Sequence, residues 1–142
     1  MISFQNQIEI SRSTEDVYAY LADLEKVPDW NYAIQRTVKV TPGPIRTGTE
    51  YRQIRSLPRP SEEMIRITKL ESPELLEVSG TLGSFQARLI YELTPTETGT
   101  RLVNKIHLTA SGPAQIMARL ATGRIRAAVA NNLNVLKANL DE

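Results

Sequence analysis

The stretch Phe85-Gln-Ala-Arg-Leu-Ile-Tyr-Glu-Leu-Thr-Pro-Thr-Glu-Thr-Gly-Thr-Arg-Leu-Val-Asn-Lys-Ile-His-Leu-Thr-Ala-Ser-Gly-Pro113 decides the fold. Residues 85–94 and 100–110 each alternate in the period of two expected of a strand with one buried face. Phe85, Ala87, Leu89, Tyr91 and Leu93 form the apolar set of the first, and Leu102, Asn104, Ile106 and Leu108 that of the second. Pro95-Thr-Glu-Thr-Gly99 is too short for a crossover, so the two strands are antiparallel neighbours. Ser111-Gly-Pro113 then opens a helix, with Pro113 suited to its first turn and Ser111 to its cap. About 27 residues follow, a rod of roughly 40 Å.

Working back from residue 85, strand-like segments recur between turn residues: Leu75–Thr81, Glu62–Leu70, Glu50–Ser56 and Ile34–Thr41. Ser72-Pro73, Pro58 with Pro60, and Pro42-Gly43-Pro44 punctuate them, since proline is excluded from a sheet interior. With the two strands above they make a six-strand meander. Ser3–Ile10 is a further strand. Ser13 or Thr14 then caps a short helix carrying Glu15 and Asp16 in its first turn. A second short helix over Asp23–Val27 is expected to stop at Pro28. In the long helix, Ile125, Val129, Leu133, Leu136 and Leu140 make one continuous face. The earlier apolar residues Ile116, Met117 and Leu120 fall out of phase with it near Gly123, which predicts a kink or wide turn there.

An antiparallel sheet of this size has one face to bury, and only the last helix is long enough to cover it. The first strand pairs most simply beside the last, giving seven strands. Strong curvature around a helix leaves a gap wherever small residues such as Gly80 and Ala87 line it. These segments carry a resemblance. Asp16-Val-Tyr-Ala-Tyr-Leu21, Asp23-Leu-Glu-Lys-Val-Pro-Asp-Trp-Asn31, Ile65-Arg-Ile-Thr-Lys-Leu-Glu-Ser-Pro-Glu-Leu-Leu-Glu77 and Gly99-Thr-Arg-Leu-Val103 before the long helix resemble the START-related, Bet v 1-like (SRPBCC) superfamily. Within it they are most similar to the bacterial polyketide cyclase/dehydrase and lipid-transport group. The resemblance spans residues 1–142 as one START-like ligand-binding domain. It implies an α+β helix-grip fold: a seven-stranded curved antiparallel sheet around a long C-terminal helix, with two short helices after the first strand. The superfamily includes carriers, cyclases, oxygenase domains and chaperone regulators, so the fold does not settle function.

Composition excludes several chemistries. The chain has no cysteine and one histidine, His107, which removes disulfides, thiolate sites and any two-imidazole metal site. No metal and no cofactor is expected. The single Gly-rich loop, Gly43-Pro44-Ile-Arg-Thr-Gly48, lacks the lysine of a phosphate loop. No apolar run is long enough for a membrane span, so no stable insertion is expected. Met1–Ile10 lacks a basic start and apolar core, so no signal peptide is expected and a cytoplasmic location is. Residues 99–142 carry six Lys/Arg against two Asp/Glu, but without interleaved aromatics, so nucleic acid is not the expected partner. A homodimer stays open.

The expected ligand is therefore an apolar small molecule: a lipid, polyketide or aromatic metabolite. Inward periodicity nominates Val78, Phe85, Ala87, Leu89, Tyr91, Asn104 and Ile106 as lining. Met117, Leu120, Ile125 and Val129 would form core or pocket wall from the helix. Asn104 either orients the ligand or binds a backbone group. Tyr51 and Tyr91 supply hydroxyls, Trp30 either walls the mouth or anchors the short helices, and Arg66 enters only if its strand face turns inward. His107 is expected to face outward. Arg119, Arg124 and Arg126 oppose the helix dipole, which hints at an anionic partner such as a lipid head group, although a solvated face is the plainer reading. Carriage is the first function. The alternatives are a cyclase/dehydratase polarising carbonyls through Tyr91, Asn104 or Arg66, and a protein-interaction module with a filled core. No catalytic residue is assigned.

Overall fold

The computed structural model describes residues 1–82, 85–110 and 112–141. Strand β1 (Ile2–Ile10) leads to helix α1 (Thr14–Ala22) and a 3₁₀ helix (Leu24–Asp29). Strands β2 (Ile34–Lys39), β3 (Glu50–Arg55), β4 (Ser61–Glu71), β5 (Leu75–Leu82), β6 (Phe85–Pro95) and β7 (Thr100–Thr109) follow, then helix α2 (Pro113–Asp141). The seven strands form one antiparallel sheet in the order β1-β7-β6-β5-β4-β3-β2. The meander and the pairing of the first strand beside the last are as the sequence predicts. The central pairing places Tyr91 between Leu76 and Asn104, so the inward sets of β5, β6 and β7 share one face.

Ser13 is the cap of α1, its Oγ accepting from the Asp16 N–H at 3.1 Å. Pro28 does not end the second short helix, which runs to Asp29. Proline's fixed φ suits a 3₁₀ turn, and the chain closes beyond it by Trp30 N–H and Asn31 N–H both donating to the Val27 carbonyl. The predicted cap Ser111 lies outside the described residues.

Helix α2 runs without a break past Gly123, so the predicted wide turn is absent. The phase slip vanishes because the inward stripe of the first half is Ala118, Thr122, Ile125 and Val129, which continues directly into Leu133, Leu136 and Leu140. The second half is anchored strongly. Leu133, Leu136 and Leu140 are buried in the main core, each contributing about 1.5–3 kcal/mol. Lys137 Nζ donates to the Glu9 carbonyl at 2.7 Å, and Asn139 Nδ2 reaches the Tyr20 hydroxyl and the Asp29 carbonyl, each at 3.2 Å. The first half rests on Ala118 with half-buried Ile125 and Val129, in a smaller cluster with Ile2, Ala87, Ile106 and Leu108.

Gly80 does not make room in the interior, contrary to the expectation from its size. It stands opposite Ile65, and a Cβ there would lie 2.4 Å from the Met64 carbonyl oxygen and 2.9 Å from the Ile65 Cα. The glycine lets β4 and β5 approach just before the register shift between Ile67 and Lys69.

Candidate functional site

Between α1, the 3₁₀ helix and the sheet lies a cavity of about 70 Å³. Leu21, Leu24 and Val27 form its roof, and Ile65, Val78 and Leu89 its floor. Tyr91 and Trp30 line it as well, and Leu82 bounds it at the end of β5. One wall is polar, built by Asn31, Gln53 and Arg55. A second depression of about 460 Å³ lies at the other end of the sheet, beside Ser13, Glu15, Glu74 and Thr96, but it is a broad notch open to solvent.

The polar wall was not anticipated. Glu63 on β4 is turned inward beside Ile65 and Ile67, its side chain only 2% exposed. Its carboxylate accepts from Arg55 Nε at 2.9 Å, Gln53 Nε2 at 3.2 Å and Ser61 Oγ at 3.2 Å. Arg55 also donates to the Leu57 carbonyl at 3.3 Å, and Thr37 Oγ1 donates to Gln53 Oε1 at 3.4 Å. The network therefore joins β2, β3 and β4 along one inward row. Strand periodicity carries the signal: Tyr51, Gln53 and Arg55 share a face, as do Glu63, Ile65 and Ile67. Reading only apolar inward positions missed it.

Trp30 is only 6% exposed, and its Nε1–H has no hydrogen-bond partner among the described residues. An unmet buried donor costs roughly 1–3 kcal/mol, so natural cores rarely keep one without a use. Asn31 is held in place by its Oδ1 accepting from the Ala33 N–H at 3.0 Å. Burial pushes the Tyr91 phenol far above its ordinary range, so it remains a neutral donor.

Of the predicted lining residues, Trp30, Val78, Leu89 and Tyr91 surround the cavity. Tyr51 turns inward but packs in the main core without lining the cavity, its phenol raised to about 12 chiefly by burial, with the carboxylates of Glu25 and Asp23 adding. Asn104 is buried and donates to the Ile90 carbonyl at 3.2 Å, which satisfies a backbone group rather than a ligand. Phe85, Ala87, Ile106, Ile125 and Val129 pack together as the smaller cluster, so the half of the sheet under α2 is filled. Three expectations are corrected outright. Arg66 is exposed, because Ile65 and Ile67 claim the inward face of β4. Met117 and Leu120 are exposed, because Ala118 and Ile125 take the inward side of α2. His107 faces outward as expected, its Nδ1 2.7 Å from Ser3 Oγ.

A curved seven-stranded sheet wrapped on a long C-terminal helix, with the cavity under the short helices, defines the helix-grip class. The chain belongs to the polyketide cyclase/dehydrase and lipid transport family, whose model matches residues 1–141. No curated protein matches the sequence closely enough to carry a function across. Among solved structures it is similar to the di-domain ARO/CYC StfQ of the steffimycin biosynthetic pathway (TM-score 0.78, 16% identity, 98% of this chain and 50% of that one). It is likewise similar to a conserved protein from Geobacillus kaustophilus (TM-score 0.77, 17% identity, 98% and 95%) and a START superfamily protein from Mycobacterium smegmatis (TM-score 0.76, 12% identity, 98% and 97%). At these identities the likeness is one of fold. No helix among the described residues is long and apolar enough to cross a membrane.

Proposed function

We infer that the protein binds a small, mainly apolar molecule that carries one hydrogen-bond-accepting oxygen, held with that oxygen at Trp30. The unpartnered Trp30 Nε1–H, buried at a cavity whose roof and floor are apolar, is the observation that carries this reading. A carbonyl or ether oxygen there meets the Trp30 Nε1–H, a buried donor that the described residues leave unpaired. The apolar roof and floor take the carbon skeleton, and the Gln53–Arg55 wall favours a polar end over a pure hydrocarbon.

The enclosed volume is far below the roughly 300–1,000 Å³ of sites for drug-sized ligands. It holds the oxygen-bearing end, and the remainder of a larger ligand needs the boundary at Leu82 and Leu89 to open. Both residues also pack on the smaller cluster under the first half of α2. That half is the weakly anchored one, so its outward displacement is the natural route. Binding is favoured over cyclase or dehydratase chemistry by the state of the polar groups. Arg55 is engaged by Glu63, Asn104 by a backbone carbonyl, and the Tyr91 phenol is too weak an acid to give up its proton readily.

The test is calorimetric titration with acetophenone against ethylbenzene, which match in size and differ in the carbonyl. Acetophenone should bind about tenfold more tightly, the worth of one hydrogen bond of roughly 1–1.5 kcal/mol. The preference should vanish in Trp30→Phe. Equal binding of the two compounds by the wild-type protein refutes the role given to Trp30.

A further inference from the structure

The antiparallel topology gathers the start of β1, the end of β7, the β3–β4 and β5–β6 turns and the start of α2 at one end of the sheet. This is also the end at which Leu82 and Arg55 bound the cavity. It is unusually rich in exposed apolar side chains. Ile116, Met117 and Leu120 on α2 are 65%, 66% and 80% exposed, and Met1 and Leu57 are exposed at the same end.

At about 100° per residue, Ile116, Leu120, Gly123 and Ala127 fall within about 60° of one another on the face of α2 opposite Ala118 and Ile125. Met117 and Arg124 flank this stripe on one side, and Arg119 and Arg126 on the other. All three arginines are exposed. Residues 98–140 contain no Asp or Glu. An apolar ridge with a cation on each shoulder is the pattern of a helix lying in a lipid interface, where arginine stems lie along the apolar surface and their guanidinium groups reach the head groups.

We propose that the first half of α2 docks this end of the protein onto an anionic phospholipid surface, with Ile116, Met117 and Leu120 inserted and Arg119, Arg124 and Arg126 on the head groups. The ridge is convex, so a bilayer receives it by insertion, whereas a protein partner would need a matching groove. A second copy of the chain would bring like-charged arginines together across a two-fold axis. The docking sets the openable boundary of the cavity against the membrane, but it does not depend on what the cavity holds.

The experiment is co-sedimentation of the full chain with phosphatidylcholine vesicles, with and without phosphatidylserine, at low and high salt. Binding should require phosphatidylserine and weaken with salt. Leu120→Ser should weaken it about tenfold or more, and Arg119→Gln and Arg124→Gln about fivefold each. These side chains are exposed, so circular dichroism should show wild-type folding in each variant. Lack of binding to anionic vesicles overturns the proposal, as does equal binding by folded Leu120→Ser. Concentration-dependent dimers abolished by Leu120→Ser, without vesicle binding, overturn it in favour of self-association. Loss of the acetophenone preference with vesicle binding intact would strike the cavity reading alone.

Discussion

Glu63→Leu removes a carboxylate that is 2% exposed and leaves Arg55 Nε, Gln53 Nε2 and Ser61 Oγ without their acceptor. Arg55 is itself only 15% exposed, and its remaining hydrogen bond among the described residues is to the Leu57 carbonyl at 3.3 Å. Breaking one side of such a buried pair costs about 3–5 kcal/mol, because the stranded partner stays desolvated. For a protein of this size that moves the urea midpoint down by roughly 1–3 M with an unchanged slope. Arg55→Met should cost less, since the carboxylate keeps its neutral donors Gln53 and Ser61. The double variant Glu63→Leu/Arg55→Met should recover most of the loss, because apolar replacement of both partners removes two desolvation costs together. Urea unfolding followed by circular dichroism measures all four corners of the cycle. A cost below about 1 kcal/mol for Glu63→Leu would mean that the carboxylate reaches water. A double variant as unstable as the single would mean that the network is a structural necessity of β2–β4 rather than a feature kept for the cavity.

Gly80→Ala should destabilise by about 1–3 kcal/mol, since its Cβ would sit 2.4 Å from a backbone oxygen that cannot swing away. The same denaturation assay reads it, and a neutral result would deny the close approach of β4. Gly123→Ala, with open space around the new Cβ, should instead stabilise by about 0.5–1 kcal/mol and raise the melting temperature. Tyr18 and Tyr51 are raised to about 12 by burial, and Tyr91 further. Their folded pKa lies above the unfolded value of 10.0, so their contribution is full below pH 10 and is lost as pH climbs through the folded values. Stability should therefore be level with respect to these phenols up to about pH 9 and fall between about pH 10 and 12. Phenolate absorbance from these three rising only as the fold is lost would agree, whereas early ionisation of all five tyrosines in the folded protein would not.

The sheet was legible because alternation is a strong signal when one face is dry. In β6 the set Ala87, Tyr91 and Leu93 is buried while Gln86, Arg88 and Thr94 are exposed, and β7 repeats the pattern with Leu102, Asn104, Ile106 and Leu108. Strand ends shifted by only a residue or two, at positions such as Pro95 where pairing continues past the turn residue. The site was less legible, because a cavity is set by tertiary shape that no single strand records. Tyr91, Val78 and Leu89 were found by face, yet the same rule also named Ala87 and Ile106, which pack rather than line. The polar wall escaped for a different reason. A lone Glu63 or Gln53 in a strand reads as solvated, and only the register that brings Gln53 opposite Glu63 lets both turn inward with partners.

The first half of helix α2 offers two competing stripes: Ile116, Leu120 and Ala127 on one side, and Ala118, Thr122, Ile125 and Val129 on the other. Residue size favours the first, and a reading by hydropathy alone chooses it and must then break the helix at Gly123. Phase continuity with Leu133, Leu136 and Leu140 favours the second, and a rigid rod can satisfy only one. The helix therefore buries small or β-branched residues in its first half and leaves its bulkiest apolar ones in solvent. That choice gives up several kcal/mol of burial, by the usual ~1.5–3 kcal/mol for a large apolar side chain. The same choice seats the first half lightly over the smaller cluster and presents an apolar ridge between arginines at the cavity's end. Ala118, 2% exposed, fills its place in the smaller cluster, but a helix that only had to close a core would carry polar residues at 116 and 120. The reversed arrangement is the one a lipid-docking helix requires.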